Sequence, residues 1–195
     1  MKRYQYIERL AEFISAETWA EIGVHRGGRA EAVSRRLLKQ GREVTYWGYD
    51  LWERLVNHGE VYNGKGPSTR REVDQRLSRV REQYPQFRYS LIQGDHSETV
   101  PTGFEVDLVF VDGDHRTASI QRDYNRVKHS QVVILDDWYE PEQPGLGSNQ
   151  VKVRGQERLI RTGDREGISG GEILLRVVTE RSDVIDFIDS WEAVK

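Results

Sequence analysis

Apolar and polar positions follow two different periods along the chain. The opening segment has apolar residues at helical spacing, namely Tyr4, Ile7, Leu10, Ala11 and Ile14. The short run TWAEIGV, Thr18–Val24, then has the dense apolar pattern of a buried strand. Gly27 and Gly28 follow it, and a second helical pattern ends at Gly41. This order predicts a helix, a strand, a glycine turn and a helix.

The same alternation continues as far as residue 138. Further strands are predicted at Val44–Trp52, Phe87–Gly94, Val106–Val111 and Gln131–Trp138. Helices are predicted between them, at Glu72–Tyr84 and Ala118–His129. Strands that alternate with helices form βαβ units, which build a parallel sheet covered by helices on both faces.

After Tyr139 the alternation ends. The prolines and glycines of EPEQPGLGSN indicate a loop, and the runs RLIRT and EILLRVV behind it predict an antiparallel pair of strands. The predicted fold is therefore α/β, a Rossmann-like doubly wound, mostly parallel sheet with an antiparallel C-terminal edge pair. A length of 195 residues with 36% apolar content predicts a single domain, 1–195.

Composition narrows the classes of function. No apolar run approaches the roughly 20 residues of a membrane span, and the charged start MKRYQYIERL does not resemble a signal peptide. A soluble, cytoplasmic protein is expected. The absence of cysteine excludes thiolate chemistry, and 29 basic against 32 acidic residues give no reason to expect broad nucleic-acid binding. Composition leaves the oligomeric state open, a homo-oligomer included.

Carboxylates stand at the end of each predicted parallel strand. They are Glu21, Asp50, Asp95, Asp112, Asp136 and Asp137. In an open parallel sheet, ligands bind beyond the carboxyl ends of the strands, so these residues define a candidate site.

The first of these strand ends, GVHRGG, differs from a dinucleotide fingerprint. Gly23 and Gly28 match its first and last glycines, but His25 replaces the middle glycine that lets a pyrophosphate approach the backbone. Asp50 lies 22 residues beyond Gly28, close to the roughly 20 expected of an acid that binds ribose hydroxyls. This combination favours an adenosyl ligand without phosphates, such as S-adenosyl-L-methionine (SAM). The alternative is that the glycines only start the helix.

Five motifs stand in order between Trp19 and Trp138: EIGVHRGG, YDLWE, LIQGDHSETVP, DLVFVDGDH and VVILDDW. Together they resemble the class I SAM-dependent methyltransferases, and more narrowly the small-molecule O-methyltransferases of the macrocin O-methyltransferase-like group. The resemblance implies that Glu21, Gly23 and Gly27 line the methionine and ribose end of the cofactor. It also implies that Asp50 accepts both ribose hydroxyls and that Asp95 and Ser97 lie at the adenine. Asp95 as a simple helix cap is the alternative.

A divalent cation is expected among the acids that end two adjacent strands. Asp112, Asp136 and Asp137 would repel one another unless a cation neutralised them, and an all-oxygen site suits Mg²⁺ or Mn²⁺. The resembling group places its metal on acids of these motifs. The alternative is that Asp136 and Asp137 orient loops without a metal.

His115 is the predicted general base. It stands three residues after Asp112, and its ordinary pKa near 6.5 suits removal of a hydroxyl proton. In some members of the resembling group, a histidine at this spacing has that role. The alternative is that His115 caps a helix or hydrogen-bonds Asp112.

The predicted activity is transfer of a methyl group from SAM to a hydroxyl of a small molecule, such as a sugar, polyol or natural product. The polar segment 54–71 is either a lid or an insertion, and Trp138 and Tyr139 are predicted to line the acceptor pocket. Three alternatives remain at this point: a metal-independent methyltransferase, an NAD-dependent oxidoreductase, and a non-catalytic nucleotide-binding module.

Overall fold

The computed structural model describes residues 3–53, 68–165 and 171–192. Its helices are α1 Arg3–Phe13, α2 Gly28–Leu38, α3 Arg70–Gln83, α4 His96–Thr99, α5 Thr117–Val127 and α6 Ser182–Glu192. Its strands are β1 Thr18–Ile22, β2 Val44–Asp50, β3 Phe87–Gln93, β4 Leu108–Val111, β5 Val132–Glu140, β6 Gln156–Arg165 and β7 Glu172–Thr179. The predicted strands are all present, with ends that differ by a few residues.

The strands form one sheet in the order β3-β2-β1-β4-β5-β7-β6. Strands β1 to β5 pair in parallel, whereas β7 is antiparallel to both β5 and β6. The predicted fold class is therefore confirmed. The strand order reverses between β1 and β4, which is where a sheet of this kind opens a ligand crevice.

Each face of the sheet carries its own apolar core. Side chains alternate along β4, so Leu108 and Phe110 join the core under α1, α2, α3 and α6. Val109 and Val111 join the opposite core, under α5. Burial on both faces explains why β4 is apolar throughout and why the carboxylates begin only where it ends.

Helix α1 packs against α6 through aromatic side chains. The rings of Phe13 and Phe187 stack with their centroids 3.9 Å apart, and those of Tyr6 and Trp191 lie 5.3 Å apart. The first residue of α1, Arg3, lies beside Asp136, in the middle of β5. Within the described ranges, no helix combines the length and apolar character required to cross a membrane.

Candidate active site

Asp50, at the end of β2, connects two loops through its carboxylate. The His25 N–H donates to Asp50 Oδ2 at 2.7 Å, and the Trp52 N–H donates to Asp50 Oδ1 at 2.7 Å. Both donor residues have positive φ, 51° at His25 and 43° at Trp52, so the backbone bends around the carboxylate. A carboxylate can accept about four hydrogen bonds, so Asp50 keeps acceptor capacity for two ligand hydroxyls.

The loop after β1 packs directly against the loop after β4. Gly23 has φ +92°, and a Cβ there would collide with the carbonyl oxygen of Asp112. Gly27 has φ +70°, and a Cβ there would come within 2.8 Å of Val73. Both glycines are therefore required by close approach as well as by backbone conformation.

Arg29 of α2 joins the ends of β1 and β4. Its guanidinium forms ion pairs with Glu21 and Asp112, and it donates to the Gly23 carbonyl at 2.9 Å. Glu21 is fully buried and accepts a hydrogen bond from the Tyr46 hydroxyl at 3.1 Å. Burial raises the pKa of Glu21 to about 7, although Arg29 opposes the shift.

Sequence analysis missed Arg29, although the sequence contains a signal for it. The residue lies in the first turn of α2, directly after the helix begins at Gly28. A cation there faces the positive end of the helix dipole, which is unfavourable without an anionic partner. An arginine at this position, next to a strand that carries a buried acid, therefore indicates an ion pair.

Asp95 caps the short helix α4. The Ser97 N–H donates to Asp95 Oδ1 at 2.7 Å, and the hydrogen bonds from Ser97 lower the pKa of Asp95. The capping interpretation therefore describes what the structure shows, and it leaves Asp95 Oδ2 as an acceptor. The adenine-binding roles of Asp95 and Ser97 stay predictions.

His115 and Asp137 form a hydrogen-bonded pair. His115 Nδ1 bonds to Asp137 Oδ2, and this bond, with the negative charges of Asp137 and Asp112, raises the pKa of His115 to about 9. Asp112, His115 and Asp137 each present a ligand atom within 4.8 Å of the others. The structure thus brings the predicted base together with two of the three predicted metal ligands.

Asp136 lies apart from the His115–Asp137 pair. It is fully buried, its Oδ1 accepts the Asp137 N–H at 2.9 Å, and Arg3 Nη1 lies 3.2 Å from the same oxygen. Its Oδ2 has no hydrogen-bond partner in the described part of the chain. Burial, together with the charges of Asp112 and Asp137, raises the pKa of Asp136. Asp136 does not join the group of Asp112, His115 and Asp137.

Asp114, the second acid of VDGDH, forms hydrogen bonds only a few residues away along the chain. It accepts hydrogen bonds from the Arg116 N–H at 3.1 Å and from the Ser119 hydroxyl at 2.6 Å. These bonds fix the turn that leads into α5. Asp114 therefore orients this segment.

The loop after β5 connects the two members of the His115–Asp137 pair. The Gly147 N–H donates to the His115 carbonyl at 2.7 Å, and the Ser148 N–H donates to the Asp137 carbonyl at 2.9 Å. The Thr117 hydroxyl donates to the Gly147 carbonyl at 2.9 Å. Sequence analysis predicts only a loop here, whereas the structure gives this loop a part in positioning both side chains.

Replacing Gly147 with alanine is expected to destabilise this loop. Gly147 has φ +77°, and a Cβ there would collide with the Asp137 carbonyl. Gly145 has a similar φ of +73° with open space around its Cβ position, so Gly145→Ala is the matched control. We expect Gly147→Ala to cost about 2 kcal/mol more than the control, which lowers the unfolding temperature by a further ~4–8 °C. Equal unfolding temperatures for the two variants would contradict this.

Trp138 and Tyr139, which were predicted to line the acceptor pocket, both contact other side chains of the protein. Trp138 lies under the Arg176 guanidinium, 5.1 Å from the ring centroid. Tyr139 is buried, and its backbone exchanges hydrogen bonds of 3.0 and 2.9 Å with the Asn149 side chain. Most of the predicted lid, residues 54–67, lies outside the described residues.

Comparison with known proteins points to one family. A family model described as "Methyltransferase domain" matches residues 20–138. No match was found among curated proteins.

Solved structures share the fold at low sequence identity. The methyltransferase domain of bacterial CtHen1 (CtHen1-C) is 15% identical with a TM-score of 0.58, covering 91% of this chain and 96% of that one. The O-methyltransferase TomG from Streptomyces achromogenes, in complex with SAM, is 17% identical with a TM-score of 0.57, covering 91% and 79%. An O-methyltransferase from Bacillus cereus, in complex with SAH, is 12% identical with a TM-score of 0.56, covering 90% and 80%.

Proposed function

The chain belongs to the methyltransferase-domain family and is a SAM-dependent methyltransferase, and from this premise we propose that it methylates a hydroxyl group of a small molecule with the help of a divalent cation. The observation that carries the proposal is the convergence of Asp112, His115 and Asp137 at the carboxyl edge of the sheet. A base and two hard oxygen ligands beside a cofactor crevice suit removal of a hydroxyl proton.

The cofactor would lie across the ends of β2, β1 and β4. Asp50 would accept the ribose hydroxyls, and Glu21, Gly23 and Gly27 would line the cofactor beyond the ribose. Asp95 and Ser97 would lie at the adenine. The left-handed glycine turn and the remaining acceptor capacity of Asp50 support this placement. SAM supplies a methyl group on a sulfonium, which a neighbouring oxygen can attack in line.

The acids fit a divalent cation. Asp112 and Asp137 would hold it, because both belong to the group whose ligand atoms lie within 4.8 Å. The unpartnered Oδ2 of Asp136 is a buried oxygen near the same charges, and Asp136 would be a further ligand. Carboxylate oxygens favour Mg²⁺ or Mn²⁺. Such a cation supplies Lewis-acid polarisation, which lowers the pKa of a bound hydroxyl.

His115 would take the hydroxyl proton. Its Nδ1 is held by Asp137, which fixes the orientation of the ring. The side chain is 35% exposed, so a substrate can reach it. With a pKa of about 9, His115 is protonated at neutral pH as long as Asp137 and Asp112 keep their full negative charge. Neutralisation of these two carboxylates would lower that pKa and make the base form available.

A metal-independent methyltransferase is the second candidate, and one observation favours it. Arg3 pairs with Asp136 and Arg29 pairs with Asp112, so the chain's own cations already offset part of the repulsion. In that case the acceptor hydroxyl would be activated by His115 alone.

Calorimetry with S-adenosylhomocysteine (SAH), with and without Mn²⁺, tests the proposal and separates the two candidates. We expect SAH to bind in both conditions and Mn²⁺ to bind the SAH complex. Asp137→Asn should remove the Mn²⁺ signal and keep the SAH signal. No heat with SAH under any condition would overturn the cofactor assignment. SAH binding without any Mn²⁺ binding would favour the metal-independent candidate.

A further inference from the structure

Arg29 fills an oxygen-lined cradle between the ends of β1 and β4. The cradle consists of the Glu21 carboxylate, the Gly23 carbonyl and the Asp112 carboxylate, and each of them binds the guanidinium. Three acceptors that converge in this way would otherwise suit a cationic group of a ligand. In this chain, a side chain of the protein already supplies that cation.

Two aromatic rings contact the Arg29 guanidinium. The Tyr4 ring centroid lies 4.6 Å and the Phe110 ring centroid 4.8 Å from the Arg29 Cζ atom. The Arg29 side chain is only 14% exposed. The ion pairs and the two ring contacts hold Arg29 in place, so a ligand would meet it as a preformed part of the site.

A second arginine lies at the same place. The Arg3 Cζ atom lies 4.9 Å from the Tyr4 ring centroid, so Arg3 and Arg29 share one aromatic neighbour. Arg3 Nη1 lies 3.2 Å from Asp136 Oδ1, and Arg3 Nε lies 3.6 Å from Asp164 Oδ2, so its buried guanidinium is held by two ion pairs. The two guanidinium groups therefore place two positive charges at the same part of the site.

The proposed function, on which this inference rests, indicates which part of the cofactor would lie beside Arg29. With the ribose at Asp50 and the reacting methyl facing Asp112, His115 and Asp137, the amino-acid end of the cofactor lies near the ends of β1 and β4. That end carries one ammonium and one carboxylate. The positive charge of Arg29 would repel the ammonium, and the three cradle oxygens that could bind it are already bound to Arg29. A guanidinium has five N–H groups, and three are used here, so two remain for a carboxylate.

We propose that Arg29 is a specificity-determining residue that makes the site select the cofactor by its carboxylate and not by its ammonium. Arg3 adds a second positive charge beside the same carboxylate subsite. The cradle oxygens serve to hold Arg29 in position.

Four ligands test this by calorimetry: SAH, its deaminated analogue, its decarboxylated analogue, and 5′-methylthioadenosine, which has neither charged group. The wild-type protein is expected to bind the deaminated analogue within about 3-fold of SAH. The decarboxylated analogue should bind about 10- to 100-fold more weakly, because it loses charge-assisted hydrogen bonds. Equal or tighter binding of the decarboxylated analogue would overturn the inference.

A double variant, Arg29→Met with Glu21→Gln, removes the cation together with its buried partner. We expect it to lose the preference for the carboxylate, and a cooperative thermal unfolding transition shows that it folds. Arg35→Met with Glu31→Gln is the matched control, because this pair lies on the same helix away from the cradle. Retention of the preference by the Arg29 variant would overturn the inference. If the wild type binds none of the four ligands, both the proposed cofactor site and this inference are wrong. If it binds all four with equal affinity, only the role of Arg29 is wrong.

Discussion

Replacing Asp50 with asparagine is expected to weaken SAH binding by about 100-fold or more. The carboxylate would accept two ribose hydroxyls in addition to the N–H groups of His25 and Trp52. An amide has one oxygen in place of two, and its NH₂ group would face N–H and O–H donors. The loss of two charge-assisted hydrogen bonds, each worth about 1.5–3 kcal/mol, accounts for the size of the effect. Calorimetric titration with SAH measures it.

Asp107→Asn is the matched control for this prediction. Asp107 also uses its carboxylate to accept backbone N–H groups, from Glu17 at 3.0 Å and Thr18 at 2.9 Å, but it does so at the opposite end of the strands. We expect the control to lose stability and keep its SAH affinity. If both variants lose affinity equally, the effect of Asp50 comes from folding and not from contact with the ribose.

The fold could be predicted from the sequence because each element that buries a face of the sheet has a local pattern of apolar residues. The apolar run in β4 and the helical spacing in α2 and α5 each determine an element within a few residues of sequence. Helix α6 was not predicted, although Val184, Ile185 and Ile188 are buried at helical spacing.

The candidate site could be predicted only in part, because adjacent residues of a strand normally face opposite sides of the sheet. Sequence analysis assigns Asp136 and Asp137 the same role. The irregular pairing of β5 with β7 after Leu135, together with φ +59° at Asp137, turns one carboxylate towards His115 and leaves the other buried beside Arg3. A local backbone distortion of this kind has no clear sequence pattern.

The remaining site contacts join distant parts of the chain. Arg3 meets β5 only because α1 packs against α2 and α6, and Gly147 meets His115 only because the loop after β5 folds back. Neither contact follows from local periodicity. The motifs therefore identify which strand ends carry chemistry, whereas the tertiary packing decides which side chains neutralise or orient one another.

Asp137→Asn is expected to remove both the orientation of His115 and a ligand of the proposed cation. In the wild type without metal, the hydrogen bond to Asp137 is the main cause of the raised pKa of His115, about 9 against an ordinary 6.5. The variant should bring the pKa of His115 back towards 6.5, which NMR titration of the histidine ring signals can follow. Mn²⁺ affinity in the presence of SAH should fall at least about 100-fold, more than the loss typical of a residue outside the ligand set.

The pH dependence of stability gives an independent readout of the same pair. Because folding raises the pKa of His115, the pair contributes its full stabilisation below pH 6.5 and loses it as the pH rises through about 9. The difference in unfolding temperature between wild type and Asp137→Asn should therefore be largest in the acid part of this range and shrink towards pH 9.

Asp114→Asn is the matched control within the same motif, since Asp114 bonds to Arg116 and Ser119. It should lose about 1 kcal/mol of stability and leave the His115 pKa and Mn²⁺ affinity unchanged. A His115 pKa that stays near 9 in Asp137→Asn would show that Asp137 neither orients nor charges the predicted base.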